Sequence, residues 1–292
     1  MSQWTINFLN GREPLVIEGK YFAEAVEAYL QKNNDLSNAN LSHADLNNAF
    51  LINANLSHAD LRCAYLNHTV LSNADLRYAD LNNAFLNSAD LSNANLSYAN
   101  LSHAKLNSTI LSNADLVYAK LRYADLNNVF LNSADLSNAD LSYADLSYAD
   151  VRNAKLSTAE LRYADLRNAQ LNNAILRNAI LRNANLDYSC FSLFCGSLDI
   201  KIDKRIACQL LYHTLRAMQS VDDEEVRAVL NDDKVLALAN QFHRVEECGK
   251  IEKDIPQNNQ SDPFGVENIE DVCTKRVEAW LNAPAESEGE DE

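Results

Sequence analysis

The sequence predicts an all-β solenoid with four sides, closed by a small N-terminal cap and followed by an α-helical C-terminal module. Three observations carry that reading. From Leu36 to Leu186 an aliphatic residue falls at every fifth position, Leu at every place but Val151, which makes 31 consecutive units. Two residues before each stands Ala, with Asn34, Thr69, Thr109 and Val129 as exceptions. Neither Gly nor Pro occurs from residue 20 to residue 195, which also excludes Gly-rich phosphate loops from the middle of the chain.

A period of five suits neither regular element. On an α-helix the Leu column would turn by about 140° per unit and wind around every face. On an extended strand, Ala and Leu of one unit share a face, but the odd period would flip the next unit outward. The conflict disappears if the chain turns a corner within each unit, so that Ala and Leu always point inward. The two residues after Leu then make the bend. They are mostly Ser, Asn, Arg, Tyr and His; Asn and Ser bond their own backbone in turns, and Asn tolerates left-handed geometry.

The number of sides follows from the outward residues. Tyr78, Tyr98 and Tyr118 are spaced by 20, as are Tyr123, Tyr143 and Tyr163. Phe50 pairs with Val70, Tyr65 with Phe85 and Ile110 with Phe130 at the same spacing. Four units per coil would stack each set at about 4.8 Å, the spacing of hydrogen-bonded strands. Other Tyr pairs fall 25 apart, but the spacing of 20 favours four sides.

Residues 1–34 differ in kind. Segments 4–9 and 15–18 flank Asn10 and Gly11, which predicts a two-strand hairpin. Residues 20–32 have helical spacing, with Phe22, Ala25, Val26, Tyr29 and Leu30 on one side. Together they would cover the open edge of the first coil. The repeat stops near Phe191, because Phe194 and Gly196 stand where Ala and Leu are due. Helical patterns follow at 203–219, 222–231, 234–248 and 266–281, and residues 283–292 form an acidic tail expected to be disordered. The expected division is a cap at 1–34, a solenoid at 35–195, a helical module at 196–282 and the tail at 283–292.

Units such as Ala74-Asp75-Leu76 and Ala139-Asp140-Leu141 resemble the tandem A(D/N)LXX repeats of the pentapeptide repeat protein family. The resemblance covers about residues 35–195. It implies a right-handed quadrilateral β-helix, here of about eight coils, with functions that are diverse across the family. Some members inhibit DNA gyrase by imitating duplex DNA.

The net charge of −16 invites that role, but its distribution argues against it. Residues 36–190 hold 14 acids and 11 bases, whereas residues 191–292 hold 22 acids and 11 bases. A duplex as long as the eight coils, about 37 Å, carries about 22 phosphates. Nor does any loop interrupt the repeat. DNA mimicry toward a topoisomerase such as gyrase is therefore the alternative reading, and direct nucleic-acid binding is not expected.

Other chemistries find less support. Cys190, Cys195, Cys208 and His213 could ligate zinc, but they lack paired C-x2-C spacing, so packed thiols are expected and no metal. His43, His58, His68 and His103 all fall on outward corners, where no concave pocket would shelter a catalytic base. No cofactor is implied. No apolar run approaches the ~20 residues of a membrane span, and no export signal is seen at the N-terminus. Reduced thiols then fit a cytoplasmic location.

A segment that includes residues 67–93 nearly recurs further along the chain, first at a shift of 40 and then of 45 residues. The later part matches Asn82-Asn83-Ala84-Phe85-Leu86 to Asn127-Asn128-Val129-Phe130-Leu131. Forty-five residues are nine units, which rotates that part of the copy onto another face, so no single solenoid residue is expected to be catalytic. The expectation is a non-enzymatic, bacterial, cytoplasmic scaffold that binds a protein partner. Its candidate contact residues are Tyr118, Tyr123, Tyr143, Tyr148 and Tyr163, on adjoining corners, since Tyr is enriched at interfaces. The C-terminal helices are the second candidate surface, and a homodimer could form through them.

Overall fold

The computed structural model describes residues 2–187, 189–191, 211, 212, 215 and 233–240. The chain divides into two units, Met1–Ile206 and Ala207–Glu292.

In the first unit, parallel bridges join residues twenty apart, beginning at Asp35 with Asn55 and running to Asp165 with Asn185. Each coil therefore takes four units, and the Tyr pairs 25 apart lie on different corners. One unit shows where the backbone hydrogen bonds go. The N–H of Ala74 donates to the Leu71 carbonyl (3.0 Å) and closes the preceding β-turn. That of Asp75 donates to Ala54 in the coil below (2.9 Å), and those of Leu76 and Tyr78 to Asn95 and Ser97 in the coil above (2.7 and 3.1 Å). The fifth, on Arg77, donates to the Asp75 carboxylate at 3.1 Å. Every donor of the unit is met, as a stacked backbone requires.

The second residue after Leu has a φ of 55–62° at every corner from Asn38 to Asn183. A turn closed between Leu and the next Ala needs this positive φ at its third residue. Asn and His adopt it more readily than most residues, while Tyr and Thr carry more strain there.

The inward Leu columns, with Val151 among them, are at most 3% exposed from Leu36 to Leu186. Burying each contributes roughly 1.5–3 kcal/mol. Two of the residues that replace Ala bring a hydroxyl into this core. Thr69 donates to the Leu46 carbonyl and Thr109 to that of Leu86, each at 2.8 Å, so neither is an unmet polar group.

At the N-terminal end two strands pair as a hairpin. Strand β1 (Ser2–Ile6) pairs antiparallel with β2 (Leu15–Gly19), but Asn10 and Gly11 do not make a two-residue turn between them. The connection is longer because residues 7–9 are used elsewhere. Phe8 bridges Ala39, the Leu9 N–H donates to Asn38 and the Asn40 N–H donates to Asn7. The open edge of the first coil needs partners, and this demand sets the length of the connection. Helix α1 (Phe22–Asn33) buries Ala25, Val26 and Leu30. Its Glu27 carboxylate accepts the Phe50 N–H at 2.8 Å, which no coil below can receive. At the other end, β3 (Gln170–Leu171) pairs in parallel with β4 (Cys190–Phe191), again twenty residues on.

In the second unit, helix α2 (Asp233–Ala239) buries Leu236 and Ala239, and Tyr212 and Leu215 are buried. Residues 194, 196, 222–231, 241–248, 266–281 and 283–292, for which an end to the repeat, helices and an acidic tail are expected, lie outside the described residues.

Candidate functional site

The site is built on the positions that the core leaves outward: the residue before Leu and the two after it. The residue before Leu is Asp or Asn in most units, and its side chain accepts the N–H two residues on. Ser37 donates in this way to Asp35 (3.0 Å), Ser97 to Asn95 (3.0 Å) and Ser147 to Asp145 (2.9 Å). This local bond is the reason the repeat uses Asp or Asn there. After Tyr65, Phe85 and Lys105, an Asn of the coil below substitutes. The Asn67 N–H donates to Asn47 Oδ1 (2.9 Å), and that of Asn87 to Asn67 Oδ1 (3.1 Å).

When Arg follows Leu, the same Asp also holds the guanidinium. Arg62, Arg77, Arg152 and Arg167 each place Nη2 2.6 Å from the acid two residues before, at Asp60, Asp75, Asp150 and Asp165. The hydrogen bonds from Arg62 and Arg77 keep the Asp60 and Asp75 carboxyls below the ordinary carboxylate range.

Aromatic residues form two parallel stacks on neighbouring corners. The first runs His58, Tyr78, Tyr98, Tyr118, with centroids 4.8, 4.9 and 5.0 Å apart. The second runs His103, Tyr123, Tyr143, Tyr163 at 5.0, 4.9 and 4.8 Å. Each begins with His and continues with three Tyr, and each residue of the second is 45 positions after its counterpart in the first. Each stacked Tyr is 40–51% exposed. Between the stacks lies an open depression of about 410 Å³ lined by Ser102, Tyr118, Lys120, Arg122, Asn138 and Asp140. The Arg122 guanidinium lies 5.2 and 5.4 Å from the Tyr123 and Tyr143 ring centroids, a cation–π placement.

The structure thus sets Tyr118, Tyr123, Tyr143 and Tyr163 along this face. Tyr148 stands on a third corner, half-buried and in neither stack, and burial pushes its hydroxyl pKa up. His58 and His103, weighed by sequence only as catalytic bases, are the first members of the stacks. Their place in the same twenty-residue columns was the signal that could have revealed it. Of the zinc candidates, Cys195, Cys208, His213 and the Cys190 side chain lie outside the described residues. Among the described residues no group of three or more His, Cys, Asp or Glu is placed to hold a metal ion, and no helix is long and apolar enough to cross a membrane.

The model of pentapeptide repeats matches this sequence with 8 copies, over residues 35–157 and 159–193, more than half of the chain. The chain belongs to the pentapeptide repeat family. Among solved structures, this pentapeptide repeat protein is similar to HetL from the cyanobacterium Nostoc sp. strain PCC 7120, a pentapeptide repeat protein involved in regulating heterocyst differentiation. The two are 30% identical over 63% of this chain and 95% of HetL, with a TM-score of 0.34. It is also similar to a trypsin-treated form of QnrB1, a plasmid-mediated fluoroquinolone resistance protein, at 18% identity over 57% of this chain and 84% of that one, with a TM-score of 0.39. A pentapeptide repeat protein of the Arabidopsis thaliana thylakoid lumen is 27% identical over 41% of this chain and 74% of its own, with a TM-score of 0.23. A search of curated protein sequences returns no match.

Proposed function

We propose that this pentapeptide repeat protein is a non-enzymatic, cytoplasmic scaffold, a right-handed β-helical rod over residues 35–195 that binds a protein partner through the face bearing the two tyrosine stacks. The helical module expected at 196–282 is a second contact surface in this reading. The observation that carries it is the pair of exposed stacks on neighbouring corners.

Magnitudes favour a binding role over a purely structural one. Left-handed geometry costs a non-Gly residue roughly 1–2 kcal/mol, least for Asn. A stacked aromatic pair returns about 0.5–1.5 kcal/mol. The strain at the three Tyr corners thus offsets much of what stacking in one series returns, whereas Asn, the residue that fills most other corners, carries less of it. Tyr at the centre of an interface, beside Arg, is where binding energy concentrates.

The test replaces Tyr123, Tyr143 and Tyr163 with Asn and compares the variant with the wild type in capture from native lysate, read by mass spectrometry. A partner held only by the wild type, while the variant melts at the same temperature, supports the reading. A partner held equally by both overturns it, and unfolding of the variant would return the stacks to a structural role.

A further inference from the structure

Arg122 breaks the pairing rule that five other Arg-bearing units of the rod follow. In Asp60–Arg62, Asp75–Arg77, Asp150–Arg152 and Asp165–Arg167 the acid before Leu binds the arginine after it, and Glu160 holds Arg162 at 3.1 Å. At the equivalent place before Arg122 stands Lys120. The substitution removes the acid and adds a second cation. It also takes away the side-chain oxygen that receives the N–H after Leu in the other pairs, at 3.1 Å in Arg62, Arg77 and Arg167. Arg122 therefore carries a guanidinium and a backbone N–H with no carboxylate, and Lys120 forms no ion pair among the described residues. Arg177 and Arg182 also lose the acid, to Ile175 and Ile180, but neither gains a second cation there or lines the depression between the stacks.

We propose that Arg122 and Lys120 receive an aspartate or glutamate side chain of a partner protein, which occupies the place of the acid that the other Arg-bearing units carry themselves. This rests on the partner-binding reading above and names the chemistry of the contact. The built-in pairs supply the template. One carboxylate oxygen takes the arginine Nε and the backbone N–H, and the other takes Nη2, a bidentate arrangement that Arg favours. The ammonium of Lys120 adds attraction that no built-in pair has. The Arg122 guanidinium rests over Tyr123 and Tyr143, so the contact is continuous with the second stack.

The surroundings choose a single acidic side chain over a polyanion. Within the column that holds Lys120, the next two coils bring Asp140 and Glu160, and two coils the other way stands Asp80. Nucleic acid carries a charge every ~1.7 Å of duplex and would meet these carboxylates on both sides. An isolated acid on a protein surface meets only the two cations, with Asp140 at the margin of the depression.

The experiment titrates the full-length, isotope-labelled protein with a blocked peptide, Gly-Ser-Glu-Ser-Gly, its Gln counterpart, sodium acetate and a thymidine oligonucleotide, read by NMR at the Arg122 backbone and Nε–H signals. The expected result is saturable movement with the Glu peptide, at least about tenfold weaker binding of the Gln peptide and of acetate, and none with the oligonucleotide. Lys120→Asp restores the repeat's own acid, so it should fold as the other Asp–Arg units do and abolish peptide binding by filling the site from within. Equal binding of the Gln peptide, acetate as effective as the Glu peptide, an oligonucleotide response at Arg122, undiminished binding by Lys120→Asp, or no movement would each overturn the proposal. Peptide-induced shifts at the Tyr123 and Tyr143 rings that persist in Lys120→Asp would sink the carboxylate contact while leaving the partner-binding face standing.

Discussion

The first coil and the fifth coil of the rod share one backbone but meet different demands. In the fifth, the neighbouring coils take every strand-like N–H and carbonyl, as when Lys120 donates to Ala99 and accepts from Leu101. In the first, the partners come from outside the repeat: Asn7 and Leu9 at one side and the Glu27 carboxylate at another. Interior coils draw on contacts that recur at every unit, whereas the edge depends on individual residues of a different sequence. A repeat array is held by intrinsic and neighbour terms alike, and its ends need dedicated caps. The interior should therefore resist the loss of any surface residue and the edge should not, while loss of a core Leu should be felt anywhere.

The largest expected effect is Leu116→Ala in the fifth coil. Removing a fully buried Leu should destabilise by about 2–5 kcal/mol, read by denaturant unfolding. If Leu36→Ala costs the same, core packing does not distinguish edge from interior.

Acid acts next, on several surface carboxylates together. Asp60, Asp75, Asp135 and Asp150 titrate below the ordinary range. A depressed folded pKa means stability that is present above the unfolded value near 3.9 and is lost as pH falls through the folded one. Melting temperature should therefore hold from pH 7 to about pH 5 and drop below about pH 4. A flat profile down to pH 2 would show that these carboxylates do little for the fold.

A smaller loss is expected for Glu27→Ala, about 0.5–1.5 kcal/mol for one hydrogen bond. Hydrogen exchange sharpens the contrast: the Phe50 amide should exchange faster while that of Lys120 is unchanged. The smallest change is expected for Tyr143→Asn, where lost stacking and relieved backbone strain nearly cancel. A shift in stability of no more than about 0.5 kcal/mol would agree with that balance. A loss well above 1 kcal/mol would make the stack a structural device.

The interior coils are the part that sequence shows most plainly, because one physical requirement repeats 31 times. The period of five, the small Ala beside the Leu column and the Asn-rich corners all state the same turn. What stayed hidden was each place where one side chain serves two purposes. Asp75 looks like a solvated surface residue in sequence, yet it receives the Arg77 N–H and binds the guanidinium. Asn10 and Gly11 give a hairpin signal that is locally sound, but nothing local tells that residues 7–9 must serve the first coil instead. At the face between the stacks, Tyr123, Tyr143 and Tyr163 were legible from their spacing. Lys120 and Arg122 were not, since two cations become an exception only after the Asp–Arg pairs are seen to be the rule.

The offset of 45 residues between the two stacks also bears on how such a surface can grow. A rod with four units per turn that copies eight of its units extends a stripe lengthwise along the same side. Copying nine sets the same stripe beside the original, one corner around. The second His–Tyr–Tyr–Tyr series stands in that relation to the first. A slip of one unit in the length of a duplication is enough to turn a line into an area, and every Leu stays inside while it happens.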